Sequence, residues 1–215
     1  VALKAGLEAM GLEYLVKEKG AKLCKVYQPE DDGPINDRRL WPFYEKAQEL
    51  GIPLTLHTGV SYVCPQPNSH CHPQQLDDVA LAFPDLKMIA YHAGWPYTEE
   101  LIGLCGKHKN LYMSLSGIFG WYQRSPYRGY HAIGTALQWV PADKIVLGFD
   151  LPFDDLPRVT DYIRDLSMPE ELQEKWGYAQ VTDEDKAKIL GLNLAKLTGI
   201  EPTKRAKFAA AKPAK

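Results

Sequence analysis

Residues Leu86–Pro96 read LKMIAYHAGWP. A Pro-Asp turn (Pro84, Asp85) precedes the stretch, Met88, Ile89 and Ala90 are apolar, and an imidazole, His92, arrives just before Ala93, Gly94 and Trp95. A short apolar run between turn residues reads as a buried parallel strand. In α/β proteins the C-terminal ends of such strands converge on one rim, where sites are built. His92 stands at that end, and Gly94 lets the backbone turn sharply after it. A single histidine so placed is more simply a core imidazole bonded to a carbonyl.

The construction occurs twice more. Gly51-Ile52-Pro53-Leu54-Thr55-Leu56 ends in His57, followed by Thr58-Gly59, and Lys144-Ile145-Val146-Leu147-Gly148-Phe149 ends in Asp150. Three apolar strands each deliver an ionisable side chain at the same end, which points to one shared site at a barrel rim.

Chain-wide properties narrow the class. With 215 residues the chain suffices for one well-buried domain. A net charge of −2 and an ordinary composition give no preference for nucleic acid or acidic partners. No apolar segment is long enough for a membrane span, and the start carries no signal-peptide pattern. Cys24, Cys64, Cys71 and Cys105 lack a CxxC spacing, so a reduced, cytoplasmic protein is expected rather than a disulfide framework.

Working outward in chain order, Leu3, Leu7, Met10, Tyr14 and Leu15 fall at helical spacing within Ala2–Lys19, and Gly20 ends that helix. Ala21–Tyr27 reads as a strand and Arg38–Leu50 as a helix stopped by Gly51. The His57 strand and a loop from Gly59 to Pro73 precede a helix over Gln74–Phe83. After the His92 strand comes a helix over Thr98–Lys109, with Thr98 as N-cap and Glu99 and Glu100 at the positive end of its dipole. A strand over Asn110–Ser116, an aromatic loop over Ile118–Tyr130 and a helix over His131–Val140 lead to the Asp150 strand. Helices near Leu156–Ser167 and Asp183–Leu197 follow, and the basic tail from Glu201 reads as solvated and disordered. One helix and then five βα repeats imply a parallel sheet covered by helices. A (β/α)8 barrel needs eight strands, so the first three βα units are expected from elsewhere.

LTLHTG, FPDLKMIAYHAGWPYTEEL, NLYMSLSG, DKIVLGFDLPF and ILGLNLAKLTGI resemble the metal-dependent amidohydrolase family. More narrowly they are similar to the branch that includes aminocarboxymuconate-semialdehyde decarboxylase and the aromatic-acid decarboxylases. The resemblance runs from about Gly20 to Ile200. It implies a distorted TIM barrel of which these are the fourth to eighth strands, residues 1–200 forming the C-terminal part and 201–215 the tail. It also implies that His57 binds a divalent metal, that His92 acts as acid/base, and that Asp150 binds the metal and can take a proton from its water. An ion held by imidazole and carboxylate with one position open lowers the pKa of bound water towards neutrality. Zn²⁺ is the expected ion and Mn²⁺ the runner-up; imidazole plus carboxylate suits either, and no thiolate stands at a strand end to decide for zinc.

Two departures from the family pattern matter. The motif before Asp150 carries Phe149 where the family has a small hydroxyl residue, and no strand ends in the His-x-His or Glu-x-His that supplies two further ligands. Three explanations compete: preceding sequence holds the first three strands, a partner subunit holds them, or His70 and His72 in Ser69-His70-Cys71-His72-Pro73 act as a local ligand pair. The first two account better for the open edges of a five-stranded barrel, and the assembly is expected to be oligomeric.

Other residues carry weaker signals. Lys25 reads as a strand lysine reaching the rim, although more distant relatives place a carboxylated lysine there. Arg124, Tyr127 and Arg128 lie in an aromatic segment after the fourth strand of this chain, suited to a planar carboxylated substrate or equally to a subunit interface. Trp95 and Tyr97 wall the pocket, Asn193 packs a helix, and His108 and His131 read as surface residues on outer helices. The expected activity is metal-dependent hydrolysis of a small carboxylated or aromatic compound, with non-oxidative decarboxylation as the alternative. A non-catalytic subunit of a split enzyme is the reading from another class.

Overall fold

The computed structural model of the chain describes residues 2–27, 33–62, 67–117, 125–150 and 155–202. Arg124 with Trp121–Gln123, Cys64 and the tail from residue 203 lie outside them. Five short strands form one parallel sheet in the order β1 to β5: β1 Cys24–Val26, β2 Leu54–Leu56, β3 Met88–Ala90, β4 Leu111–Ser114 and β5 Ile145–Val146. Every neighbour in the sheet is a neighbour in sequence, as in a barrel wall, and the helices lie between successive strands. These are α1 Ala2–Lys17, α2 Trp41–Leu50, α3 Gln75–Ala82, α4 Thr98–Lys107 and α5 Pro126–Trp139. After β5 come α6 Leu156–Arg164, α7 Glu170–Trp176, α8 Asp183–Ala187, a π turn over Lys188–Leu192 and α9 Asn193–Thr198. Among the described residues β1 and β5 do not pair with one another, so the sheet keeps two edges.

Side chains alternate across the sheet. Leu54, Leu56, Met88, Ala90, Leu111, Met113 and Ile145 pack outward against Tyr44, Ala47, Leu76, Val79, Leu101, Ile102 and Ile133 of the helices. The register Lys25–Thr55–Ile89–Tyr112 identifies the opposite, inner face. Its lower layer is apolar: Ile89 and Val146 are buried with Leu23 and Tyr112 against Leu194 and Leu197 of α9. Towards the C-terminal strand ends the same face turns polar, through Lys25, Thr55 and Ser114 and then Tyr27, His57, Ser116 and Asp150. That change positions the site.

Polar anchors fix the end away from the rim. Asn110 Nδ2 donates to the carbonyls of Ala80 and Phe83, joining the end of α3 to β4. Asn193 Nδ2 donates at 2.7 Å to the carbonyls of both Ala142 and Ile145, so the expected packing role of Asn193 is a hydrogen-bonded one. In the π turn the Ile189 carbonyl accepts the Leu147 N–H at 2.9 Å, tying the final helices to the β5 edge.

Several local expectations need correction. Thr98 is the first residue of α4, whose N-cap is Tyr97 without a side-chain cap bond; Glu99 and Glu100 do occupy the first turn. Helix α5 starts at Pro126, because proline is preset for a first helical turn, so Tyr127 and Arg128 are helical rather than in a loop. His108 is buried, its Nε2 lying 2.5 Å from Asp77 Oδ1. His131 is half-buried, its Nδ1 2.8 Å from the Tyr178 hydroxyl and its ring against Trp176.

Candidate functional site

The structure brings His57 and His92 into contact, with Asp150 close by beyond Gly117. Thr55 and His57 are two apart on β2 and its extension, so both face inward, and His57 is buried. His92 reaches the same place by a different route. The chain leaves β3 through left-handed backbone at His92 (φ 60°), Ala93 (φ 48°) and Gly94 (φ 65°). In an extended strand Tyr91 and His92 would take opposite faces, whereas this turn delivers both rings to one place, 5.7 Å apart. Contacts hold the turn: Thr58 Oγ1 donates to the Tyr91 carbonyl, and the Val60 N–H donates to the Trp95 carbonyl. Gly59 faces the Gly94–Trp95 backbone so closely that any Cβ would collide with it.

His92 Nε2 lies 3.1 Å from His57 Nδ1, and His92 Nδ1 lies 3.2 Å from Ser116 Oγ. The same Ser116 oxygen accepts the His92 backbone N–H. Asp150 completes the cluster from beyond β5: a Cβ on Gly117 would lie 3.1 Å from His92 Nδ1 and 3.8 Å from Asp150 Oδ2. Gly117 thus lies against both the imidazole and the carboxylate. Tyr27 packs edge-on against His57 at 4.9 Å.

Electrostatics fix the state of His57. Burial, then the neighbouring His92 and Lys25, push its pKa down to about 3, so it is neutral at physiological pH. A backbone hydrogen bond with Val60 opposes that shift. A neutral imidazole carries one N–H, and the contact between the two histidines needs one hydrogen. Among the described residues His57 Nε2 is buried and meets no partner at ordinary hydrogen-bond geometry. A buried, neutral imidazole nitrogen without such a partner is the donor a borderline-soft divalent ion takes. His57 therefore fits as one metal ligand, and Asp150 is the carboxylate at the rim, beside Gly117. Among the described residues no set of three or more His, Cys, Asp or Glu side chains is grouped to hold an ion. Cys71 is not a nucleophile here, since burial pushes its thiol up to about 11.

Residues 8–200 match the family model described as amidohydrolase. The chain belongs to the amidohydrolase family. No curated protein matches it. Among solved structures it is similar to an uncharacterised TIM-barrel protein from Bordetella bronchiseptica, with 22% identity, 88% of this chain and 61% of that one covered, and a TM-score of 0.64. It is similar also to a dihydroxybenzoic acid decarboxylase from Polaromonas, solved with manganese and 2-nitroresorcinol (19% identity, 95% and 68% covered, TM-score 0.66). A third is 5-carboxyvanillate decarboxylase from Sphingomonas paucimobilis (15% identity, 90% and 63% covered, TM-score 0.62). The sheet is thus of TIM-barrel type, and this amidohydrolase chain spans 61% to 68% of the length of these three proteins.

The remaining candidates lie around this amidohydrolase rim. Trp95 follows the left-handed turn, its N–H donating to the His92 carbonyl. Tyr97 stacks on His72 with ring centroids 4.1 Å apart. His72 Nδ1 accepts the Gln74 N–H, so its 3.4 Å approach to Glu100 carries no shared hydrogen. His70 is half-buried, and its carbonyl accepts the Ile35 N–H. Neither histidine contacts the His57–His92 pair. Tyr127 is exposed and donates to Glu171 at 3.2 Å; Arg128 is exposed as well. Among the described residues no helix is long and apolar enough to cross a membrane.

Proposed function

We propose that this chain carries the acid/base and part of the metal-binding machinery of an enzyme that decarboxylates a small aromatic acid without an oxidant. The observation that carries this reading is the His57–His92 pair, with His57 Nε2 buried at the rim and, among the described residues, without a partner at ordinary hydrogen-bond geometry. His57 and Asp150 would hold a divalent ion, Mn²⁺ or Zn²⁺, which when bound supplies positive charge to the acid's oxygens. His92 moves the proton. Its Nδ1 lies beside Gly117 and against Ser116 Oγ, which fixes the ring. Delivered to the ring carbon that bears the carboxylate, that proton lets the carbon–carbon bond break, with the electron pair returning to the ring and CO₂ leaving. Tyr27 and Tyr91 give the inner face flat apolar surface suited to an aromatic ring.

The remaining metal ligands are proposed to come from three further βα units, in preceding sequence or a partner subunit. The two sheet edges and the greater length of the solved relatives support this. The test supplies Mn²⁺ or Zn²⁺ to the native assembly and follows CO₂ release from 2,6-dihydroxybenzoate and related acids. Release that stops on chelation supports the reading. A product that keeps its carboxylate and gains water would make the reaction a hydrolysis, and no turnover with either ion across such acids would overturn the proposal.

A further inference from the structure

Lys25 sits on the inner face of β1, one register step below His57 on β2. The residue is exposed at the sheet edge, and its Nζ stands 3.8 Å above the centre of the Tyr91 ring. Tyr91 is itself held by a hydrogen bond to the Thr55 hydroxyl. The ammonium feels the Asp150 carboxylate and in turn acts on His57, so it lies within the field of the rim cluster. Burial of the amine pushes its pKa down to about 8, against the opposing pull of Asp150.

The ring face can occupy one of the three N–H donors of an ammonium; the other two need oxygen acceptors. Among the described residues Lys25 Nζ makes no hydrogen bond and no ion pair, Asp150 included. Other lysines near the sheet are satisfied: Lys144 donates to the carbonyls of His108 and Lys109. A cation aimed by an aromatic pad beside the His57–His92 pair, with no protein acceptor among the described residues, can exchange its water for an anion.

We propose that Lys25 receives the carboxylate of the substrate and thereby sets which ring carbon stands before His92. This rests on the acid-substrate reading above and adds the residue that recognises the acid. The role is one of binding and positioning. Of the two arginines expected from sequence to take that part, Arg128 is on α5 and Arg124 lies outside the described residues.

The test compares 2,6-dihydroxybenzoate with resorcinol, the same ring lacking the carboxylate, as probes for the Mn²⁺-supplied native protein by titration calorimetry. Wild-type protein should prefer the acid. Lys25→Met should lower that preference about 10-fold or more with resorcinol affinity unchanged, and Lys25→Arg should restore part of it. A Lys25→Met protein that keeps the preference overturns the Lys25 assignment alone. Wild-type protein without any preference for the acid overturns the acid-substrate reading and this inference with it. Should Lys25→Met fail to fold, reductive methylation of the wild-type protein read by mass spectrometry decides. Protection of Lys25 by the acid and not by resorcinol supports the role, and equal labelling overturns it.

Discussion

The two ends of the sheet treat polar groups in opposite ways. At the end away from the rim, Asn110 and Asn193 each meet two carbonyls, and nearby His108 meets Asp77. At the rim, His57 Nε2 meets no partner at ordinary hydrogen-bond geometry among the described residues, and the Lys25 ammonium rests on a ring face. A buried polar group left unsatisfied costs about 1–3 kcal/mol. Incomplete bonding of this kind at the rim is what the proposed ligands would satisfy.

The sharpest way to break this contrast is to remove rim groups. His92→Ala should lower turnover about 10²- to 10⁴-fold while leaving bound metal unchanged, whereas Asp150→Ala should lose the metal. Turnover with elemental analysis checks both, and the reverse pattern would exchange their roles. At the far end the effect should fall on stability. Asn193→Leu leaves the carbonyls of Ala142 and Ile145 without their donor and should cost about 1–3 kcal/mol, read as a lowered Tm, with turnover per folded molecule intact. Lost turnover at full stability would erase the distinction between the ends.

A packing probe away from both ends gives a reference. A Cβ at Gly134 would lie 2.5 Å from the Tyr178 ring, whose hydroxyl is held by His131 and Thr135. Gly134→Ala should therefore destabilise by about 1–3 kcal/mol without touching metal or turnover, as thermal unfolding and elemental analysis would report. The smallest effect concerns pH. Hydrogen bonds from Lys107 and then His108 hold Asp77 below its usual 3.8, so its contribution is present above about pH 4 and is lost as pH falls through the lowered folded value. Asp77→Asn should remove a part of acid sensitivity worth about 0.3–1 kcal/mol, visible as a shallower fall of Tm below pH 4.

Much of this was legible in the sequence, because strand-end residues need only local pattern. Apolar runs that stop at His57, His92 and Asp150 announce the rim, and the alternation of strands and helices announces the parallel sheet. What depended on distant partners was not legible. His108 reads as a surface residue because Asp77, which buries it, is 31 positions away. The beginning of α5 was hidden by an aromatic segment with no apolar period, and only Pro126 signals it. The unpartnered amine of Lys25 depends on Tyr91 lying across two strands, which a reading of β1 alone cannot supply.

The left-handed turn at His92–Gly94 has a consequence for motion. Left-handed backbone costs a residue with a Cβ roughly 1–2 kcal/mol, and His92 and Ala93 both bear it. The turn persists only while Thr58, Gly59 and Val60 hold the Tyr91 and Trp95 carbonyls in place. A small local opening of the segment after β2 would let the backbone relax to right-handed geometry and swing the imidazole to the other face, while the sheet stayed folded. Rim fluctuation would then part His92 from His57 without unfolding the sheet. Amide exchange at Trp95 and Val60 should accordingly run faster than at Leu54 or Met88, and activity should fade on warming before the fold is lost.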